Sequence, residues 1–169
     1  IAGDANGSPA LMHEAADEGA MAGYNAARNL RTRFRRKTPL AIAFSAPDVA
    51  AVGARLDQLD PQRIVIGAAS GESNGRLRIL GAEQSLLRVY ADAETGRLLG
   101  AALLCADGEH LAHQLAWAIQ RGETAQSLLE MPFYHPVVEE LLASALQEIA
   151  KRIAPAAGLP LGLSKESQA

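Results

Sequence analysis

A histidine, a proline and two carboxylates meet in one stretch, Met131-Pro132-Phe133-Tyr134-His135-Pro136-Val137-Val138-Glu139-Glu140, which runs straight into the apolar, helix-patterned segment from Leu141 to Ile153. Proline at a first helical position loses nothing, because its missing N–H would have had no intrahelical partner. Pro136 is therefore expected to open a helix, with His135 at its cap. Glu139 and Glu140 then fall within reach of the imidazole, so that one carboxylate can accept a hydrogen bond from the ring and hold its tautomer and orientation. The helix N-terminus disfavours imidazolium and a paired carboxylate favours it, a balance that lets such a ring titrate near neutrality. A simple count from i to i+4 pairs His135 with Glu139. The same residues also read as a plain helix start, since a cap and acidic companions are ordinary in a first turn. Acid/base group and structural cap both stand at this point.

Other chemistry is thinner. His110 and His113 sit three apart on one helical segment, and a metal-binding module with His135 is conceivable, yet zinc also needs fixed third and fourth ligands. The one cysteine excludes a disulfide scaffold and suggests a reducing, cytoplasmic setting. Cys105 lies inside an apolar run, where a thiol behaves as a small buried hydrophobe. Gly71-Glu72-Ser73-Asn74-Gly75-Arg76 lacks the Lys-Ser/Thr ending of a phosphate loop and carries a Glu that would repel phosphate, so it reads as a plain turn. The basic run from Arg31 to Lys37 is set against a formal net charge of -3 and reads as a solvated linker, not a nucleic-acid patch. Neither a Gly-x-Gly-x-x-Gly fingerprint nor a Cys-x-x-x-x-Cys pair occurs in the chain.

The elements that must position these residues follow from pattern. Gly3 to Gly7 is a turn, and Ser8-Pro9 caps a helix expected from about Pro9 to near Arg31, with Met12, Ala16, Gly19, Gly23, Ala27 and Leu30 forming a face of mostly small residues. Leu40 to Phe44 reads as a strand, Ser45 to Asp48 as a turn, and Val49 to Val52 as a second strand ended by Gly53. Ile64 to Gly67 is a further strand, and Gly67 to Gly75 a loop. Ser85 to Tyr90 and Arg97 to Cys105 flank the turn Asp92-Ala93-Glu94-Thr95-Gly96 as a β-hairpin. The second of these is nearly all apolar, so a central strand buried on both faces is expected; it is far too short to span a membrane. A helix begins near Asp107 and stops at Gly122, a short one covers Thr124 to Leu129, and Pro155 to Ala169 reads as a loosely held tail. With 169 residues and 49% hydrophobic content there is chain for one real core and a short extra element, not for three domains. Aromatics are only 4%, so the packing must be tight and aliphatic.

Three stretches carry a resemblance. His135-Pro136 followed by Glu140 is similar to the His-Pro-Thr-x-x-Glu signature of the flavin-dependent pyridine nucleotide-disulfide oxidoreductases, the dihydrolipoamide dehydrogenase and glutathione reductase family, with Val137 where the family has Thr. The segment from Phe44 to Gly53, Phe-Ser-x-Pro-Asp-x-Ala-x-Val-Gly, resembles the family's Phe-Thr-x-Pro-Glu-x-Ala-x-Val-Gly, the entry to its dimerisation domain. Gly3-Asp4, with Leu11-Met12-His13-Glu14-Ala15-Ala16-Asp17-Glu18-Gly19, resembles the Gly-Asp strand end and the Leu-Ala-His-x-Ala-x-x-Glu-Gly helix that close the FAD site.

The resemblance implies an α+β architecture: a mostly antiparallel sheet of about four to five strands packed with helices. It implies residues 1–37 as the end of the FAD-binding domain, 38–154 as the dimerisation domain and 155–169 as a tail. It implies Asp4 on the ribityl chain, backbone contacts to the flavin from Leu11, Met12 and His13, and His135 with Glu140, rather than Glu139, as an acid/base pair. The chain opens on Ile1 without initiator methionine, and a fragment of a longer flavoenzyme is expected. That enzyme would use FAD and NAD(P), act on a dithiol or disulfide that is either a small molecule or a lipoyl domain, and form a homodimer in which each subunit's His serves the other's thiols. No nucleic-acid or membrane partner is expected. The alternative is a structural homodimerisation module in which His135 only caps a helix.

Overall fold

The computed structural model describes residues 1–7, 9–28, 31–153 and 162–163. The chain divides into two compact units, Ile1–Lys37 and Thr38–Ala169. The expected tail lies almost wholly outside the described residues.

In the first unit a 3-10 turn over Gly3–Asn6 ends at Gly7, whose φ of 81° is left-handed, and is followed by helix α1, Met12–Ala26. Glu18 ties these pieces together. Its side chain is 7% exposed, accepts the Gly3 amide at 2.7 Å and the Asn6 side-chain amide, and pairs with Arg36. The helix is shorter at both ends than the expected Pro9 to Arg31. It closes because Asn25 turns the chain back, its Oδ1 accepting from Thr32 N at 2.9 Å and its Nδ2 donating to Thr32 O at 3.1 Å. An Asn side chain competing for backbone partners is a stop that apolar periodicity does not register.

The second unit is a five-stranded antiparallel sheet in the order β1-β2-β5-β4-β3. The strands are β1 Leu40–Ala43, β2 Asp48–Gly53, β3 Ile64–Ser70, β4 Leu86–Asp92 and β5 Leu98–Cys105. The β4–β5 hairpin turns where expected. Asp92 Oδ1 accepts from Thr95 N at 2.8 Å and from Thr95 Oγ1 at 2.7 Å, and Gly96 takes a φ of 72°. β5 is central, but it is not buried equally on its two faces. Ala101, Leu103 and Cys105 are buried while Leu99, Ala102 and Leu104 are only half-buried, and on that outer face the neighbouring Val49, Leu86 and Arg88 are exposed. In an antiparallel sheet one face can stay open, so a continuous apolar run does not by itself prove two covered faces.

Helices cover the other face. Helix α3, Gly108–Arg121, packs on β1, β2 and β5, and helix α5, Glu140–Ile153, on β3 and β4. The short α4, Ala125–Leu129, packs on α5 and is held by a capping box between Thr124 and Ser127. Leu141, Leu142, Ala145, Leu146, Ile149 and Ala150 make the buried stripe of α5, the spacing of an amphipathic helix facing a core. Gly67 of β3 allows α5 this approach, because a Cβ there would overlap the Ala145 carbonyl and the Ile149 side chain. Asp48 at the start of β2 is buried and accepts the Glu109 amide at 3.3 Å, anchoring the first turn of α3. The Glu109 side chain foremost, then the amides of Glu109, Gly108 and Ser45, hold its carboxyl below the usual carboxylate range against the opposing effect of burial.

One expected loop is structured. β3 continues to Ser70, a 3-10 turn spans Gly71–Ser73, and Asn74 caps helix α2, Gly75–Ile79, by accepting Leu77 N at 2.9 Å.

Candidate functional site

The segment from Glu130 to Glu139 crosses from α4 to α5 without forming a helix, so the expected start at Pro136 is corrected: α5 begins at Glu140. The His135–Pro136 peptide is cis. The partners of the carbonyls are those of a non-helical backbone. A helix begun at Pro136 would give the Val137 carbonyl to the Leu141 amide, but Leu141 N donates to Val138 O at 2.9 Å, and Val137 O accepts instead from Asn74 Nδ2 at 3.1 Å.

With His135 outside the helix, the i to i+4 count loses its basis and Glu140 is the carboxylate that meets the ring. Its Oε1 lies 2.8 Å from His135 Nδ1, and its Oε2 accepts from Val137 N at 3.1 Å. First the hydrogen bond with His135, then the Val137 amide, keep the Glu140 carboxyl below its ordinary value, outweighing its partial burial. An ionised carboxylate only accepts, so Nδ1 must carry the proton and Nε2 of the neutral ring is left bare. Nε2 makes no hydrogen bond among the described residues, and the His135 side chain is 77% exposed against 30% for Glu140. The pair therefore presents an oriented base on the surface.

Beside the pair lies an open cavity of about 410 Å³, lined by Met131, Phe133, Tyr134, Val137 and Glu139 together with Leu142. A smaller one of about 180 Å³ brings Arg76, Asp107 and His110 against Val137, Val138 and Glu139. His113 Nδ1 is 2.7 Å from Glu109 O, and His110 is exposed near the Glu109 carboxylate. Among the described residues no group of three or more His, Cys, Asp or Glu side chains is placed to hold a metal ion. Cys105 is fully buried and burial pushes its thiol up, so the one thiol of this chain is no partner for the base.

In the first unit Asp4 is an exposed carboxylate on the 3-10 turn. Leu11, half-buried, is the N-cap of α1 and supplies no side-chain cap; Met12 is 89% exposed and the His13 side chain is exposed beside Glu14. Uncapped first-turn amides and an exposed acceptor suit an oxygen-rich ligand, with the carboxylate taking hydroxyl protons and the amides serving a carbonyl oxygen. That donor set fits the ribityl and pyrimidine end of FAD.

Asn74 is the residue that pattern reading passed over. It is 5% exposed, and its position before Gly-Arg-Leu carries a cap signature. That signature reveals the bond to Leu77, whereas the bond to Val137, 63 residues away in sequence, leaves no trace in spacing.

Residues 40–146 match the family described as pyridine nucleotide-disulphide oxidoreductase, dimerisation domain. The chain is 31% identical over 156 residues to a dihydrolipoyl dehydrogenase of Rhizobium etli, covering 89% of this chain and 32% of that protein. It is 29% identical over 147 residues to one of Halobacterium salinarum, covering 86% and 31%. The chain thus spans about a third of the length of the relatives it matches. Among solved structures, LpdA from Mycobacterium tuberculosis superposes with a TM-score of 0.75 at 23% identity, over 86% of this chain and 32% of that one. The HOCl-induced flavoprotein disulfide reductase RclA from Escherichia coli gives 0.74 at 22%, over 86% and 34%. With this sheet order, this helical layer and a family match over most of the second unit, the chain belongs to the dimerisation-domain family of the pyridine nucleotide-disulphide oxidoreductases.

Proposed function

We propose that this chain is the interface part of an FAD-dependent NAD(P)-disulfide oxidoreductase of the dihydrolipoyl dehydrogenase kind, and that it forms a homodimer in which His135, oriented by Glu140, is the acid/base group for a thiol pair carried by the partner subunit. The observation that carries this reading is the 2.8 Å bond from Glu140 to His135 Nδ1, with Nε2 left open to the surface. The family match and the dihydrolipoyl dehydrogenase relatives support the reaction class.

The chemistry required of the base is specific. A thiol of ordinary acidity is mostly protonated at neutral pH, and only the thiolate attacks a disulfide. His135 Nε2 takes the proton from one thiol of a dithiol substrate. The resulting thiolate forms a bond to one sulfur of the protein disulfide, and the protein S–S bond breaks, leaving a protein thiolate that the His135 imidazolium stabilises. The second substrate thiol, its proton passing to the protein thiolate already freed, displaces the mixed disulfide, and the proton held by His135 goes to the second protein sulfur, so that the substrate leaves oxidised by two electrons and the protein holds a dithiol. Asp4 and the amides of Met12 and His13 would hold part of FAD, the Leu11 amide being already donated to Pro9 O at 2.8 Å, and FAD would supply the acceptor for that electron pair and the link to NAD(P). Glu140 keeps the ring in the tautomer the first step needs and stabilises its charged form.

The dithiol is a small molecule or a lipoyl group on a carrier domain, and a cytoplasmic setting goes with a single buried cysteine. No helix among the described residues is long and apolar enough to cross a membrane.

Replacing His135→Gln in the full-length protein tests the reading. Dithiol-disulfide turnover should fall by about 10² to 10⁴, the range for a lost general base, with FAD content and dimer mass unchanged. Unchanged turnover would leave a dimerisation module in which His135 is only structural.

A further inference from the structure

We infer that Asn74 is a positioning residue for the His135–Glu140 pair, acting through the backbone on the two sides of Val137; this rests on the reading of His135 as the base. Asn74 is 5% exposed, and its amide has a different partner at each atom. Oδ1 accepts Leu77 N at 2.9 Å, while Nδ2 donates to Val137 O at 3.1 Å and leans on Val138 O at 3.4 Å. A flipped amide would set an oxygen against two carbonyls and an NH₂ against an N–H, so the orientation is fixed by its neighbours.

Val137 is the hinge of the site. Its carbonyl, in the 137–138 peptide, goes to Asn74, and its N–H, in the adjoining 136–137 peptide, goes to Glu140 Oε2, whose other oxygen holds His135 Nδ1. Val137 is two residues past His135 and three before Glu140, and its two flanking peptides, joined at one Cα, lie on the backbone path between imidazole and carboxylate. With no helix under the segment from 130 to 139, no backbone ladder holds this residue. Asn74 reaches from the start of α2 to do so, and the backbone of α2 is in turn fixed by the same side chain. One buried amide therefore couples the start of α2 to the backbone beside the His135 ring.

The test separates the clamp from the cap. Asn74→Asp keeps the volume and the oxygen that caps α2 but replaces the N–H donors with an acceptor facing two carbonyls; Asn74→Ser keeps a short cap that cannot span to both. In the full-length protein with ¹⁵N-labelled histidine, wild-type His135 should show the proton mainly on Nδ1. In either variant the Nε2-protonated form, favoured by free imidazole, should rise several-fold. Turnover per folded protein should drop about tenfold, the scale of one buried hydrogen bond. Adding Asn74→Asp to His135→Gln should lower turnover no further, since both changes act on one group.

A tautomer ratio and turnover equal to wild type in the variant that folds would overturn the inference and leave Asn74 a cap. So would an additive loss in the double variant. Should His135→Gln alone leave turnover unchanged, the acid/base reading fails instead, while the tautomer ratio still decides whether Asn74 orients the ring.

Discussion

Glu140 does two jobs with one carboxylate, and both favour its ionised form. The hydrogen bond with His135 and then the Val137 amide lower its proton affinity from an ordinary value of 4.5. A carboxyl whose folded-state value is depressed adds stability that is fully present above the unfolded value and is lost as pH falls through the folded one. The stability advantage of the wild-type protein over Glu140→Gln, measured by denaturant unfolding, should thus be present at neutrality and shrink as pH falls below about 5 and the carboxyl takes up its proton. A constant difference down to pH 3 would mean that the carboxylate is not held as described. Both members of the pair were legible in the sequence through the His-Pro-x-x-x-Glu pattern. Counting along a helix pointed instead to Glu139, because it assumed a helix from Pro136, whereas α5 begins at Glu140 and Val137 O accepts from Asn74. Long-range polar contacts of that kind have no period, which is why Asn74 stayed invisible while His135 did not.

The elements hold the site through close packing of α5 against the sheet. Gly67 has ordinary strand conformation, and its value is the missing Cβ, which would run into the α5 backbone at Ala145. Gly67→Ala should cost about 1–3 kcal/mol, as overpacking in a core does, and should lower the denaturant midpoint with little change in slope. A neutral substitution would show that α5 has room to shift. Hairpin, β5 in the centre, α3 between Asp107 and Gly122, and α4 were all readable, each marked by turn residues or caps at its ends. The helix α2 was not, since five residues between two glycine-bearing turns carry too little periodicity to stand out. The ends of α1 were misplaced for a related reason: a side chain, Asn25, closes it by bonding to Thr32.

As a whole, the chain sets a His135–Glu140 pair at the surface but gives it no accessible thiol. Its one cysteine is sealed in the core, with its thiol pushed up by burial. The family is a dimerisation domain, and in the proposed homodimer a two-fold interface would hand one histidine to each of two sites. Individual strands, the hairpin and the helices could be read from apolar and turn patterns, whereas the α+β class, the antiparallel sheet and the proposed role of a partner came from resemblance. Subunit mixing tests this account most directly. In the full-length protein, subunits bearing His135→Gln are co-assembled with subunits in which a redox cysteine is replaced, each parent being inactive as a homodimer. If His135 serves the partner's thiols, each hybrid holds one competent site, and random assembly should restore about a quarter of wild-type turnover. Hybrids that form but stay as inactive as their parents would show that the histidine does not act across the interface.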